Sequence, residues 1–142
     1  MPAPLLVPNP RLDMFVEHAP DGARRRLTTY TGQIQCGTRS TMLGTTAWGG
    51  LAGFEHGWLV PDSLPYRADR LAGSQVQATI TPMAMNETFD VRQLSAGLAP
   101  DPDQVHAWLR LDFGLWARTG SVATYRVEVL VLPDAVVDPS PT

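Results

Sequence analysis

The stretch "HAWLRLDFGLWAR", residues 106–118, decides the fold. Its odd positions Ala107, Leu109, Leu111, Phe113 and Leu115 are apolar without exception, the period-two pattern of a strand with one side in a core. Its even positions are His106, Trp108, Arg110, Asp112, Gly114 and Trp116. Two indoles with an acid and a base make neither an ordinary core nor an ordinary wet face. This flank is therefore expected to lie against a second layer of the same domain, another subunit, or a ligand. A sugar is one such ligand, because indoles stack on sugar rings while Arg and Asp bond the hydroxyls. Trp and Arg are equally at home in protein interfaces.

Downstream, "SVATYRVEVLVL" at 121–132 follows the turn signal "RTG". A two-residue loop would set the leucine stripe against Thr124, Arg126 and Glu128. A three-residue loop Arg118-Thr119-Gly120 instead sets Leu115, Phe113, Leu111 and Leu109 against Ala123, Tyr125, Val127 and Val129. It also opposes Asp112 to Arg126 and Arg110 to Glu128, each pair contributing about 0.2–1 kcal/mol. A C-terminal hairpin over 104–132 is expected, with Gly120 at the left-handed position that such a loop requires. A strand of about 12 residues spans roughly 40 Å, twice the usual length, so part of this hairpin is expected to project.

Upstream, "LDMFVEHA" (12–19), the turn "PDG" (20–22) and residues 26–36 read as a first hairpin, with Leu12, Met14 and Val16 on one face. "SQVQATIT" (74–81) alternates without fault, and "ETFDVRQL" (87–94) points Phe89 and Val91 inward before "SAGLAPDPD" breaks the chain. Between these pieces lies a Gly-rich excursion, 37–73, too long to be a bare loop. A short strand near Trp58–Val60 and a helical turn near "YRADRLAG" are expected there. Trp48, Phe54 and Trp58 are read as anchors of this excursion, or as ligand contacts. No long helical period and no internal repeat occurs. The fold class is thus all-β: an antiparallel sandwich or jelly-roll-like arrangement of seven or eight strands in one domain, 1–142. Pro-rich extended ends occupy 1–10 and 133–142, and such ends stay poorly ordered unless a surface holds them.

Composition narrows the chemistry. The 142 residues are 44% apolar and 18% charged, with net charge -3, which gives no electrostatic basis for binding nucleic acid or anionic lipid. All eleven basic residues are arginines, so a P-loop lysine, a Schiff base and a lysine general base are excluded. The run Arg24-Arg25-Arg26 alternates faces in a strand. The Ala, Gly, Pro and Arg bias points to a GC-rich bacterial or phage genome. Cys36 is the only cysteine, so no intrachain disulfide forms and no thiolate zinc site is expected. The start lacks the form of a signal peptide, and no apolar run is long enough to span a bilayer, so the chain is expected to be cytoplasmic when synthesised, with incorporation into a virion as a further expectation.

Catalytic patterns are weak. No G-x-S-x-G occurs, His18, His56 and His106 lie far apart, and none suggests a metal site. Glu55-His56 in "FEHGW" is the best acid/base candidate, although neighbours in a strand point apart. Asp103 with His106 is read as structural, a loop acid entering a strand, with cation binding or the start of a triad as the alternatives, and the sequon "NET" at 86–88 means little without a secretion signal. No cofactor is expected. The expectation is a non-enzymatic module of a larger assembly, homo-oligomeric or multi-component, such as a bacteriophage capsid or tail. The alternative is a carbohydrate-binding module that uses Trp108, Trp116 and Arg110, with Trp48 or Trp58 lining the site and His106 and Asp112 beside it.

Overall fold

Alternation of inward and outward side chains produces nine strands among the described residues of a computed structural model, which are 3–18, 22–37, 51–83, 89–118 and 120–137. They are β1 (Leu5–Pro8), β2 (Leu12–His18), β3 (Ala23–Gln35), β4 (Leu51–Leu59), β5 (Tyr66–Arg67), β6 (Gln75–Pro82), β7 (Phe89–Pro100), β8 (His106–Arg118) and β9 (Val122–Val131). Short 3-10 turns at Ala68–Arg70 and Pro133–Ala135 complete the elements. All the pairings are antiparallel, and they divide the strands into two sheets, so the all-β class is as the sequence implies.

In the five-stranded sheet β1 and β2 lie end to end along one edge of β3, which is followed by β9 and then β6. The Pro-rich start thus continues into a paired strand. In the four-stranded sheet β8 is central: β7 runs along one edge, while β4 and β5 share the other. The shared edge follows from Ala107, which pairs with Tyr66 and Pro100 and so must have them on opposite sides.

The expected 104–132 hairpin does not form. β8 and β9 belong to different sheets, β8 bonding to β4, β5 and β7 and β9 to β3 and β6. Gly120 is indeed left-handed, at φ +91°. Its N–H, however, donates to the Cys36 carbonyl at 2.7 Å, Cys36 donates to Ser121 at 3.0 Å, and Ser121 turns back to Arg118 through its N–H at 3.0 Å. The Ser121 hydroxyl donates to the same Arg118 carbonyl at 2.6 Å. The turn is therefore a corner between sheets, at which β9 passes to β3. The two odd-numbered stripes are buried in one common cluster between the sheets instead of side by side within one, and a register drawn from alternation alone cannot tell these cases apart. The expected cross-strand ion pairs are likewise replaced by pairs along each strand: Arg110 with Asp112, and Arg126 with Glu128.

One core joins the layers. Leu109, Leu111, Phe113 and Leu115 from β8, Tyr125, Val127, Val129 and Val131 from β9, and Ile34 from β3 are all at most 1% exposed. The Gly-rich excursion contributes Phe54 and Tyr66 to this core, along with Val60 and Leu64 from the connection between β4 and β5. Trp58 does not act as an anchor: it lies in register with Leu111 on the edge strand β4 yet is 65% exposed. Trp48 lies outside the described residues. "SAGLAP" does not break the chain but continues β7, because a bulge between Val91 and Gln93 changes the phase. Phe89 and Val91 face the core ahead of it, and Leu94, Ala96 and Leu98 do so after it.

Candidate functional site

The outer face of the four-stranded sheet follows from the parity of β8. Since the core takes the odd residues, His106, Trp108, Arg110, Asp112 and Trp116 emerge in one row on the opposite side, all of them half-buried. Their neighbours are small. On β7, Ala99, Gly97 and Ser95 stand beside Trp108, Arg110 and Asp112, and on β4, Gly57 and Gly53 stand beside Asp112 and Trp116. A ridge of large side chains thus runs beside a lane of small ones on β7 (Ser95, Gly97, Ala99), while on β4 the glycines alternate with Glu55 and Leu59. The lane on β7 forms a depression of 280 Å³ with Arg110 and Asp112 in its wall. A Cβ on Gly97 would meet nothing within 4 Å, so this lane is open. A Cβ on Gly57 would sit 2.8 Å from Asp112 Oδ1, so that glycine makes room for the ion pair.

The polar groups of the ridge are largely committed to one another. Arg110 donates through Nε to Asp112 Oδ2 at 2.9 Å and through Nη2 to Oδ1 at 3.1 Å, a two-pronged grip that holds the guanidinium pKa above its usual value. The indole N–H of Trp108 donates to Asp101 Oδ2 at 2.8 Å, so Trp108 offers a ring face rather than a donor. Asp103 accepts from the backbone N–H of Val105 at 2.9 Å and of His106 at 3.2 Å, and its other oxygen meets His106 Nδ1 at 3.2 Å. These backbone bonds, followed by the His106 contact, hold the Asp103 carboxyl below the ordinary range. Asp101 and Asp103 therefore fasten the β7–β8 hairpin loop to the start of the ridge. An open depression of 590 Å³ beside that loop is lined by Ala68, Pro100, Asp101, Pro102 and Gln104.

Among the described residues no further layer lies over this face, so the indole flank is not covered by the domain's own second sheet. His106, Trp108, Arg110, Asp112 and Trp116 are brought together, whereas Trp58 belongs to the other side of the sheet by register. Gly120 sits at the corner, away from the row.

Glu55 and His56 are separated by the pleat. Glu55 is exposed opposite Gly114, while His56 stacks on Phe113 with ring centroids 5.5 Å apart. Its Nε2 is buried without a hydrogen-bond partner, and burial lowers the imidazole pKa despite the Asp112 charge. Elsewhere in the core Tyr30 and Tyr66 share a hydroxyl contact of 2.8 Å, and Leu64 N–H donates to Tyr30 Oη at 3.0 Å. Burial raises both phenols, so they remain protonated. Among the described residues no three of His, Cys, Asp and Glu converge on a possible metal position, and no helix is long and apolar enough to cross a membrane.

Among the described residues, most of the exposed large apolar side chains lie on the other sheet. By register, Leu5 and Val7 of β1 and Leu12, Met14 and Val16 of β2 share its outer face, and Leu5, Leu12 and Met14 are 61%, 69% and 54% exposed. The same-face spacing of Leu12, Met14 and Val16 is visible in the sequence, but spacing does not say whether that face is inside or outside. The signal that decides it is the opposite flank, where Asp13 accepts from Arg26 Nε at 3.0 Å and from Thr28 Oγ1 at 2.6 Å. Thr28 is fully buried, which places Asp13, and not Leu12 or Met14, on the inner side. Compared with known family models, curated proteins and solved structures, the chain matches none.

Proposed function

We propose that this chain is a non-enzymatic structural module that packs against other protein subunits in a larger assembly, of which a virion capsid or tail is an example. The observation that carries this is the apolar stripe Leu5, Val7, Leu12, Met14 on an outer edge of the five-stranded sheet. An exposed apolar patch of this kind on a sheet margin is a place for another chain. In this role the chain is made in the cytoplasm and then built into the particle.

We read the strand order as jelly-roll-like. β3 pairs with β9 and β4 with β8, so a two-stranded ribbon turns the corner together at Cys36 and Gly120, with β6 and β7 taken onto its free sides. Jelly rolls serve both virus shells and lectins, so this topology supports both roles considered for the chain. A carbohydrate-binding role is favoured by one feature, the open lane of Ser95, Gly97 and Ala99 beside Trp108 and Arg110. Against it stands the commitment of Arg110 to Asp112 and of the Trp108 N–H to Asp101, which leaves few donors for sugar hydroxyls.

The test is the size at which the tagged chain elutes from native extracts of its source. An assembly role gives elution far above 15.5 kDa, and the double substitution Leu12→Asp/Met14→Asp brings a folded chain down to monomer size. Elution of the unaltered chain as a monomer overturns the proposal. Glycan binding lost on Trp108→Ala without loss of fold would establish the alternative.

A further inference from the structure

Resting on the assembly role, we propose that β2 pairs antiparallel with β2 of a second copy about a two-fold axis at Met14. Among the described residues β2 pairs only with β3, so its other edge presents unpaired backbone N–H and C=O groups to a further strand. The residues along that edge are complementary to themselves in one arrangement. With Met14 opposite Met14 of the second copy, Leu12 meets Val16 on the outer flank, apolar against apolar. On the inner flank Arg11, which stands just before the strand and already reaches the Asp62 carbonyl at 3.2 Å and Asp13 at 3.9 Å, meets Glu17, and Asp13 meets Phe15.

The neighbouring registers that keep the flanks in phase are worse. Centring the pair on Phe15 opposes Asp13 to Glu17 twice, and centring it on Asp13 opposes that carboxylate to itself. Like charges directly across strands are destabilising, so charge selects the Met14 register. The chosen register also extends an existing row. Leu130 of β9 lies opposite Leu27 of β3, and Leu27 lies opposite Met14. Pairing two copies makes this row continuous through both sheets, six apolar residues long, and gives the exposed Leu12 and Met14 apolar neighbours across the strands. That self-match is why the occupant is a second copy and not an unrelated chain.

The experiment is cysteine cross-linking in the full chain under a mild oxidant. The native Cys36 is buried in the core and does not compete. Residues facing each other at a two-fold axis in an antiparallel pair lie about 4.5–5.5 Å apart at Cα, within disulfide reach. Met14→Cys is expected to give a covalent dimer, Val16→Cys alone to give none, and Leu12→Cys/Val16→Cys to give one. In sedimentation, Arg11→Glu is expected to weaken the dimer roughly tenfold, because two cross-strand pairs turn repulsive, and adding Glu17→Arg is expected to restore it. Met14→Cys that keeps its fold by circular dichroism yet stays uncoupled overturns the proposal, as does coupling of Phe15→Cys in its place. A large native size with uncoupled Met14→Cys overturns this pairing alone and leaves the assembly role standing, whereas a monomeric native size overturns both.

Discussion

Gly120 shows how one residue sets the course of the chain. At φ +91° it adopts a conformation that an L side chain reaches only with strain, although a Cβ there would touch nothing within 4 Å. Gly120→Ala is therefore expected to lower unfolding free energy by about 1–2 kcal/mol through backbone strain alone, measured by urea denaturation. His56 carries a second residue-level consequence. Its pKa is lowered in the folded chain, so below the unfolded value of 6.5 the unfolded state binds the extra proton and the native state does not. The His56 contribution is complete above that pH and is lost as pH falls from it toward the depressed folded value. His56→Phe keeps a ring against Phe113, removes the unpaired Nε2, and is expected to flatten the loss of stability between neutral and mildly acidic pH. Urea midpoints measured across that range for both chains check it, and equal slopes would refute it.

At the scale of the element, β7 depends on a single extra residue. The bulge between Val91 and Gln93 lets Phe89 and Val91 share one face with Leu94, Ala96 and Leu98. Deleting Ser95 changes the phase a second time and turns Leu94, or Ala96 and Leu98, outward, costing about 1.5–3 kcal/mol from lost apolar burial. Arg92→Ala removes only an exposed ion pair with Asp90, 2.8 Å long, and is expected to change stability by less than about 1 kcal/mol. Thermal unfolding of the two variants separates these effects.

The same contrast explains what the sequence made legible. Alternation in 106–118 located β8 and its buried side, and it placed the Trp, Arg and Asp residues together on the other flank. The two runs on either side of "PDG" located the first hairpin, β2 with β3. Alternation did not reveal which strands are neighbours, because Leu111 and Val127 are buried equally well across the core and side by side. Nor did it show that Leu12 and Met14 face outward, since that depends on Asp13 finding Arg26 and Thr28.

For the whole molecule, the two sheets share one apolar cluster, so the layers stabilise each other rather than standing as separate units. The outer surfaces differ in kind: one sheet exposes a ridge of indoles and a closed ion pair, the other an apolar margin whose edge is unpaired among the described residues. The central strand of one layer and an inner strand of the other are also consecutive in the chain, and both come from its last third. A ribosome therefore holds most of this polypeptide before β4, β6 or β7 has the neighbour to which it bonds. Only the pairings among β1, β2 and β3 can form before the eighth and ninth strands emerge, and the greasy strands waiting behind them need shelter, from a chaperone or from speed, until residue 131 has cleared the exit tunnel.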